Sequence, residues 1–228
     1  MKADRDVHDD NPASAPQRSA RPGDILTFGT YPQTAGGTDR TPIKWRVLQN
    51  SGNELFILSA YILDCRRYHG EYTEITWRDC DLRKWLNDEF YNAAFKAAEK
   101  GIVKTTCCTD NGEGRPDTED RVFLLGVAEL KELTDILGKD LRRAVGTEFA
   151  RVKKSDGCHL YVYDKSVEDN YVTDENGEKH GCSWWWLRTQ LGEPSRATFV
   201  GTRASIRSYG RVNRIPYGVR PALNLDLQ

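Results

Sequence analysis

From Ser195 to Leu227 the chain alternates short apolar anchors with Arg, Ser, Thr, Tyr and Asn, a pattern that confines it to short strands and turns. The anchors are Ala197, Phe199, Val200, Ile206, Val212 and Val219, and Gly201, Gly210 and Gly218 punctuate them. The stretch holds six arginines (Arg196, Arg203, Arg207, Arg211, Arg214, Arg220) and no acid until Asp226. It follows directly on the most apolar spot in the chain, Trp184-Trp185-Trp186-Leu187. Fixed apolar positions interleaved with such residues describe a scaffold carrying a displayed surface. Arg and Tyr supply interface hot spots, while Ser, Gly and Asn adapt. Lys, Glu, Gln, Met and Trp are missing from the stretch, although Lys and Glu are plentiful before it. These five share no physical property, so folding does not account for their joint absence. They share a coding property: no codon ending in C encodes any of them.

At 228 residues the chain suits one large domain or two small ones, and a chain of this size buries roughly 70% of its unfolded surface. A net charge of −1 argues against a dedicated nucleic-acid binder. The acids lie away from the C-terminal arginines, for example at Glu168, Asp169, Asp174, Glu175 and Glu178. No run approaches the ~20 apolar residues of a membrane span. The opening MKADRDVHDDNPASAPQRSARPGD lacks the apolar core of a signal peptide. The expectation is a protein that stays inside or leaves by another route, a virus particle being one destination. Six cysteines (Cys65, Cys80, Cys107, Cys108, Cys158, Cys182) are too few for a disulfide scaffold, so free buried thiols are expected, with one or two bridges as the alternative.

Residues 1–22 are polar and without periodicity and read as a disordered leader to a single domain over 23–228. Ile25 to Phe28 reads as a strand, followed by a turn-rich link to Gly37. Ile43 to Leu48 alternates apolar and polar residues, Asn50 to Asn53 turns, and Glu54 to Ala60 returns, which together predict a hairpin. Asp79 to Phe95 has helical spacing at Leu82, Trp85, Leu86 and Phe90, with Asp79 or Asp81 as cap. Ala93 to Val103 continues it or forms a second helix. A polar loop is expected over 109–120, a strand over 121–125, a short helix over 127–133 and a third helix over 141–153. Asp164 to His180 reads as a long acidic loop turning at Asn176-Gly177, and Ser183 to Arg188 as a buried strand. Helices early and irregular strands late make an α+β domain. The closing strand from Ala222 could pair with the opening one and bring the termini together.

Chemistry-bearing constellations are weak. His8, His69, His159 and His180 stand beside no nucleophile elbow or protease signature, so no catalytic residues are assigned. Cys158-His159 and His180-Gly181-Cys182 bracket one loop with donors suited to zinc, but in no standard spacing; a Cys158–Cys182 disulfide is the alternative. Asp164, Glu168, Asp169, Asp174 and Glu175 could serve calcium, yet the alternating-oxygen loop is absent. No phosphate loop or dinucleotide fingerprint occurs. No metal and no cofactor is assigned. Tyr209, Phe199 and Tyr217 among the arginines could stack single-stranded nucleic acid, against which stands the whole-chain charge. The tryptophan run reads as core rather than a carbohydrate platform, with Trp184 and Trp186 on one face and Trp185 on the other.

Several motifs carry a resemblance: GlyAspIleLeuThrPheGlyThrTyrProGln, IleLysTrpArgValLeu, TyrIleLeuAspCys, LeuArgLysTrpLeuAsn, TrpTrpLeuArg and GlyValArgProAlaLeu. From about Asp24 to Leu227 the chain resembles C-type-lectin-like domains that serve as target proteins of diversity-generating retroelements, a fold also similar to formylglycine-generating enzyme. In that family a reverse transcriptase randomises template adenines, and AAC codons become codons ending in C. The resemblance therefore implies a C-type lectin fold whose C-terminal region, about 189–217, is diversified to bind varied ligands, with no enzymatic role. It implies a scaffold of Ala197, Val200, Ala204, Ile206, Gly210, Val212 and Gly218. It implies a displayed set of Gly201, Thr202, Arg203, Ser205, Arg207, Ser208, Tyr209, Arg211, Asn213, Arg214, Ile215 and Pro216, with Ser195, Arg196 and Thr198 added. Thr189, Gln190 and Glu193 lie beside the site. The implied partner is a protein on a cell, viral or host surface, and the implied location a virion or cell surface. The cysteine arrangement of formylglycine-generating enzymes and the calcium motifs of sugar-binding lectins do not carry over. A relative of that enzyme and a nucleic-acid-binding domain are the alternative functions.

Overall fold

The computed structural model describes residues 15–167, 170–174 and 176–228. The expected leader covers residues 1–14, which lie outside the described part, and residues 15–22, which are described. A short helix, α1 (Ala15–Ser19), leads into Ala20, and Asn50 Nδ2 donates to the carbonyls of Arg18 and Ala20 at 3.1 and 2.7 Å.

β1 (Ile25–Tyr31) pairs antiparallel with β2 (Thr41–Asn50), which returns into β3 (Glu54–Ser59) as the expected hairpin. Ile43, Trp45 and Val47 are fully buried, and strand alternation turns Lys44 and Arg46 to the opposite face. β4 (Asp64–Cys65) follows. The helix expected from Asp79 is α2 (Asp81–Trp85), a π-turn at Leu86–Phe90 and α3 (Tyr91–Ala94) in succession, with Leu82, Trp85, Leu86 and Phe90 buried. Its cap is neither Asp79 nor Asp81. Cys80 Sγ accepts from Arg83 N, while Asp79 accepts from Thr76 Oγ1 at 2.8 Å. α4 (Ala97–Ile102) is a separate helix, leading into β5 (Val103–Lys104).

The polar loop expected over 109–120 ends in a strand: β6 (Thr106–Cys108) pairs with β7 (Thr118–Asp120). α5 (Val127–Leu137) extends beyond its expected end at Leu133. The helix expected over 141–153 is broken into a 3-10 turn at Lys139–Arg142 and α6 (Glu148–Arg151). Between them Gly146 bridges Ile62, and a side chain at 146 would run into Leu160. That backbone pairing overrides the helical spacing. The acidic loop is a hairpin, β8 (Tyr171–Thr173) and β9 (Lys179–Gly181), turning at Asn176-Gly177. Glu168, Asp169 and Glu175 lie outside the described residues.

β10 (Trp185–Trp186), β11 (Arg196–Val200), β12 (Ile206–Arg211), β13 (Gly218–Val219) and β14 (Ala222–Asp226) complete the chain. One five-stranded sheet runs β1-β2-β3-β14-β5 and a second runs β12-β11-β10-β13-β4. With helices and largely antiparallel sheets, the domain is α+β. The expected pairing of β14 with β1 is not made, because β2 and β3 stand between them. β14 instead sets Leu223 opposite Ile57 and Leu225 opposite Leu55. The local β2–β3 hairpin leaves β3 with an open edge over the same core, and the apolar face of β14 fits it. No described helix is long and apolar enough to cross a membrane.

Candidate functional site at the C-terminal face

The second sheet carries the Arg-rich stretch at its edge. β12 is the outer strand, β11 lies inside it, and β10 anchors both to the core. The anchoring is aromatic. Trp184 and Trp186 both meet Phe199 and Tyr217, as strand alternation expects, and Trp185 turns away, its Nε1 donating to Arg142 O at 3.0 Å. The loop 66–80 is tied to this face by Trp186 Nε1 donating to Arg66 O, His69 N to Val212 O and Ile75 N to Pro194 O.

The expected scaffold is buried at Ala197, Val200, Ala204, Gly210, Val212 and Gly218, and Ile206 is half-buried against the core. Ala204 turns the chain at φ 61°, a left-handed conformation costing a non-glycine residue about 1–2 kcal/mol. Gly210 is required by close approach. A Cβ there would sit 2.6 Å from Trp186 Cζ3 and 3.0 Å from Phe199 Cδ1.

Of the expected display, Arg203, Arg207, Tyr209, Arg211 and Arg214 are exposed. Ser195, Arg196, Ser205, Ser208, Asn213, Ile215 and Pro216 are half-buried on the same rim. Register explains the outward aim of Tyr209. Ala197 faces Gly210 and Phe199 faces Arg207, so β12 carries one residue more than β11 between these pairs. A bulge on an edge strand re-aims side chains, and Tyr209 stands 57% exposed with its ring edge-on to Phe199.

Thr198, Gly201 and Thr202 are corrections: they are buried, not displayed. Thr198 lies on the inner strand β11 between Ala197 and Phe199 and is fully buried. Gly201 donates its N–H to Ser205 O at 2.7 Å and so closes the β11–β12 turn, with Thr202 inside it. Thr189 and Gln190 are structural. Thr189 Oγ1 accepts from Val127 N and donates to Asp110 O, and Gln190 Nε2 donates to Pro194 O and Arg196 O. Glu193 is exposed and pairs with Arg196 Nε at 2.8 Å, which holds that guanidinium above its ordinary range.

Two tyrosines that no sequence motif marked also contribute. Tyr72 reaches the face from the 66–80 loop, with Arg211 over its ring at 5.1 Å and Ser195 Oγ donating to its hydroxyl. Tyr161 stacks on Trp184 at 5.2 Å, and Trp184 is half-buried rather than core. Neither tyrosine stands in a periodic segment, so nothing local marks it. Phe199 and Tyr217 are buried beneath the face, which removes them as stacking platforms for a nucleic acid. The surface that remains is cationic and aromatic-edged.

The other constellations do not assemble. All six cysteines are free, so the alternative Cys158–Cys182 bridge is not made. Cys158 Sγ donates to Asp156 Oδ2 at 3.2 Å and adjoins Cys65, while His159 Nδ1 contacts Gly157 O. Among the described residues, the group able to converge on a metal is Asp174, Glu178 and His180; the donors of Cys158, His159, His180 and Cys182 do not converge, and Glu168, Asp169 and Glu175 of the acidic set lie outside the described residues. Asp174 there accepts from the Asn176 and Glu178 amides and touches His180 Nε2 at 2.8 Å, which closes the β8–β9 turn.

These features define an α+β domain with an arginine-rich face held on an aromatic base. Residues 52–227 match the family model described as a domain of unknown function, DUF6273, and the chain belongs to that family. No curated protein and no solved structure matches the chain.

Proposed function

We propose that this protein is a ligand-binding display protein, built on a C-type lectin fold, whose C-terminal face is diversified by a retroelement. One coincidence supports the reading above all others. Within a stretch lacking every amino acid that codons ending in C cannot encode, exposed Arg203, Arg207, Tyr209, Arg211 and Arg214 are interleaved with buried Ala204, Gly210 and Val212, while 197–202 are buried throughout. Side chains at Arg207, Tyr209, Arg211 and Arg214 can change without disturbing Ala197, Val200, Ala204, Gly210 or Val212 beneath them. Surface substitutions of this kind move stability by about ±0.5 kcal/mol. The lectin fold is supported by the closing strand lying in one sheet with the opening hairpin, and by a second five-stranded sheet that carries the variable stretch. The ligand we infer is a protein on a cell, viral or host surface, and the arginines suit an acidic patch on it.

The deciding experiment reads the DNA of codons 195–217 and its surroundings. Third positions ending in C at the displayed residues, with a near-identical adenine-rich copy beside a reverse-transcriptase gene, are expected. Mixed third positions and no such copy would overturn the diversification reading.

A further inference from the structure

On the side of the molecule formed by β2, the 138–147 segment and the β8–β9 hairpin lies a groove of about 1140 Å³. Its charges are unequally committed. Of the acids that line it, Asp140 pairs with Arg143, Asp174 with His180, and Glu148 accepts from the amide of Ala35. The cations Lys44, Arg46, Arg151 and Arg220 have no carboxylate of the described residues within ion-pair distance.

Arg220 is the least ordinary of these. It is only 2% exposed, beside Trp185. Its Nε donates to Ser59 O at 2.9 Å and its Nη1 to Leu141 O at 2.6 Å, and Nη2 has no hydrogen-bond partner among the described residues. Burial, with the Arg46 cation adding to it, pushes this guanidinium down to about 9. A guanidinium still keeps its proton at neutral pH. A buried cation without a counter-ion is costly. Arg46 shares the outward face of β2 with Lys44 and uses its Nη1 on Gly23 O. Arg151 Nε is buried with no partner.

We propose that this groove is a binding site for an organic oxyanion, a molecule bearing a carboxylate or phosphate group, with Arg220 at its floor and Arg46 and Arg151 at its walls. Guanidinium groups match the bidentate geometry of both anions. Ile25, Pro42, Tyr61 and Leu137 line the remainder and suit an apolar body attached to the anion. The site lies outside the C-terminal face and does not depend on how that face is used.

The test is calorimetric titration of the full chain at fixed ionic strength with two probes, inorganic phosphate and succinate. Saturable one-site binding of at least one probe is expected, and the one that binds identifies the anion. Arg46 and Arg151 are only half-buried, so R46Q/R151Q should fold and weaken that binding by about tenfold or more, since a hydrogen bond to a charged group contributes roughly 1.5–3 kcal/mol. R207Q, on β12, should bind as the parent does. R220K follows the same titration once its circular dichroism matches the parent, and should also weaken binding. The proposal falls if neither probe saturates, or if R46Q/R151Q binds as tightly as the parent.

Discussion

The indole of Trp186 stacks on the ring of Tyr217 with centroids 3.9 Å apart and planes 25° from parallel. This contact joins β10 to the segment that closes the displayed stretch, and Phe199 completes it edge-on to Tyr217 at 4.9 Å. Trp186→Ala should cost about 3–5 kcal/mol by opening a cavity under the face. Tyr217→Phe should be nearly neutral, because the Tyr217 hydroxyl makes no hydrogen bond among the described residues. Urea unfolding of both variants checks the pair. Equal losses would mean that the stacked rings are not what holds the face.

Two small residues in the scaffold should respond in opposite directions. Gly210→Ala forces a methyl against Trp186 and Phe199 and should destabilise by about 1–3 kcal/mol. Ala204→Gly relieves a left-handed residue worth about 1–2 kcal/mol and loses about 0.5–1 kcal/mol to backbone entropy, so it should be neutral or slightly stabilising. Thermal melts of the two variants give the signs directly.

The displayed positions should tolerate change. Alanine at Arg207, Ser208 and Arg214, singly or together, should keep each stability change within about ±0.5 kcal/mol per site. A bulky residue at Thr198, which is fully buried, should not be tolerated. Denaturant midpoints across this series test the division between surface and scaffold, independently of any ligand.

Arg188 is a second buried guanidinium, and unlike Arg220 it has an acid. Its Nη1 and Nη2 meet Glu129 at 2.6 and 2.7 Å, and Nη1 also donates to Leu124 O. Glu129→Ala should cost about 3 kcal/mol by leaving Arg188 charged and unpaired. Adding Arg188→Met should recover part of the loss, since the uncompensated charge is then gone. A double-mutant cycle in urea measures the coupling.

Thiol chemistry should single out Cys107, the exposed cysteine among six. Partial desolvation and the neighbouring Glu119 hold its thiol above the ordinary value, so alkylation of the native protein should be slow at neutral pH and quicken as pH rises. Burial raises Cys158 and Cys182 from 9.0 to about 11. The folded state therefore binds those protons more tightly than the unfolded chain. Their contribution to stability is complete below pH 9 and is lost as pH rises through about 11. Native labelling followed by peptide mapping, and unfolding curves from neutral to alkaline pH, check both points.

Much of this was readable locally. The β2–β3 hairpin follows from the alternation of Ile43, Trp45 and Val47 around a polar turn, and the α5 helix starts at Val127 as expected. After Ser195 the apolar anchors Ala197, Phe199, Val200, Val212 and Val219 were legible as apolar residues and are buried, but Thr198, Gly201 and Thr202, which the resemblance placed on the displayed side, are buried with them. Where local pattern met a long-range partner, it failed. The 141–153 helix yielded to the pairing of Gly146 with Ile62. The cap expected at Asp79 or Asp81 went to Cys80 for a local reason, its Sγ accepting from Arg83 N.

What the sequence by itself determined, then, is the class of element at most positions and the alternation of the C-terminal stretch, because both depend on neighbours a few residues apart. Tertiary structure decided which strands meet. It placed β14 beside β3 rather than β1, and it buried Thr198 on β11 and Thr202 in the β11–β12 turn. It also divided six similar arginines into a rim of exposed cations with Arg196 half-buried beside them, and one, Arg220, buried beside Trp185 at the floor of the groove. No local signal distinguishes Arg220 from Arg214. The difference is made by Ser59 and Leu141, whose carbonyls reach it from distant parts of the chain.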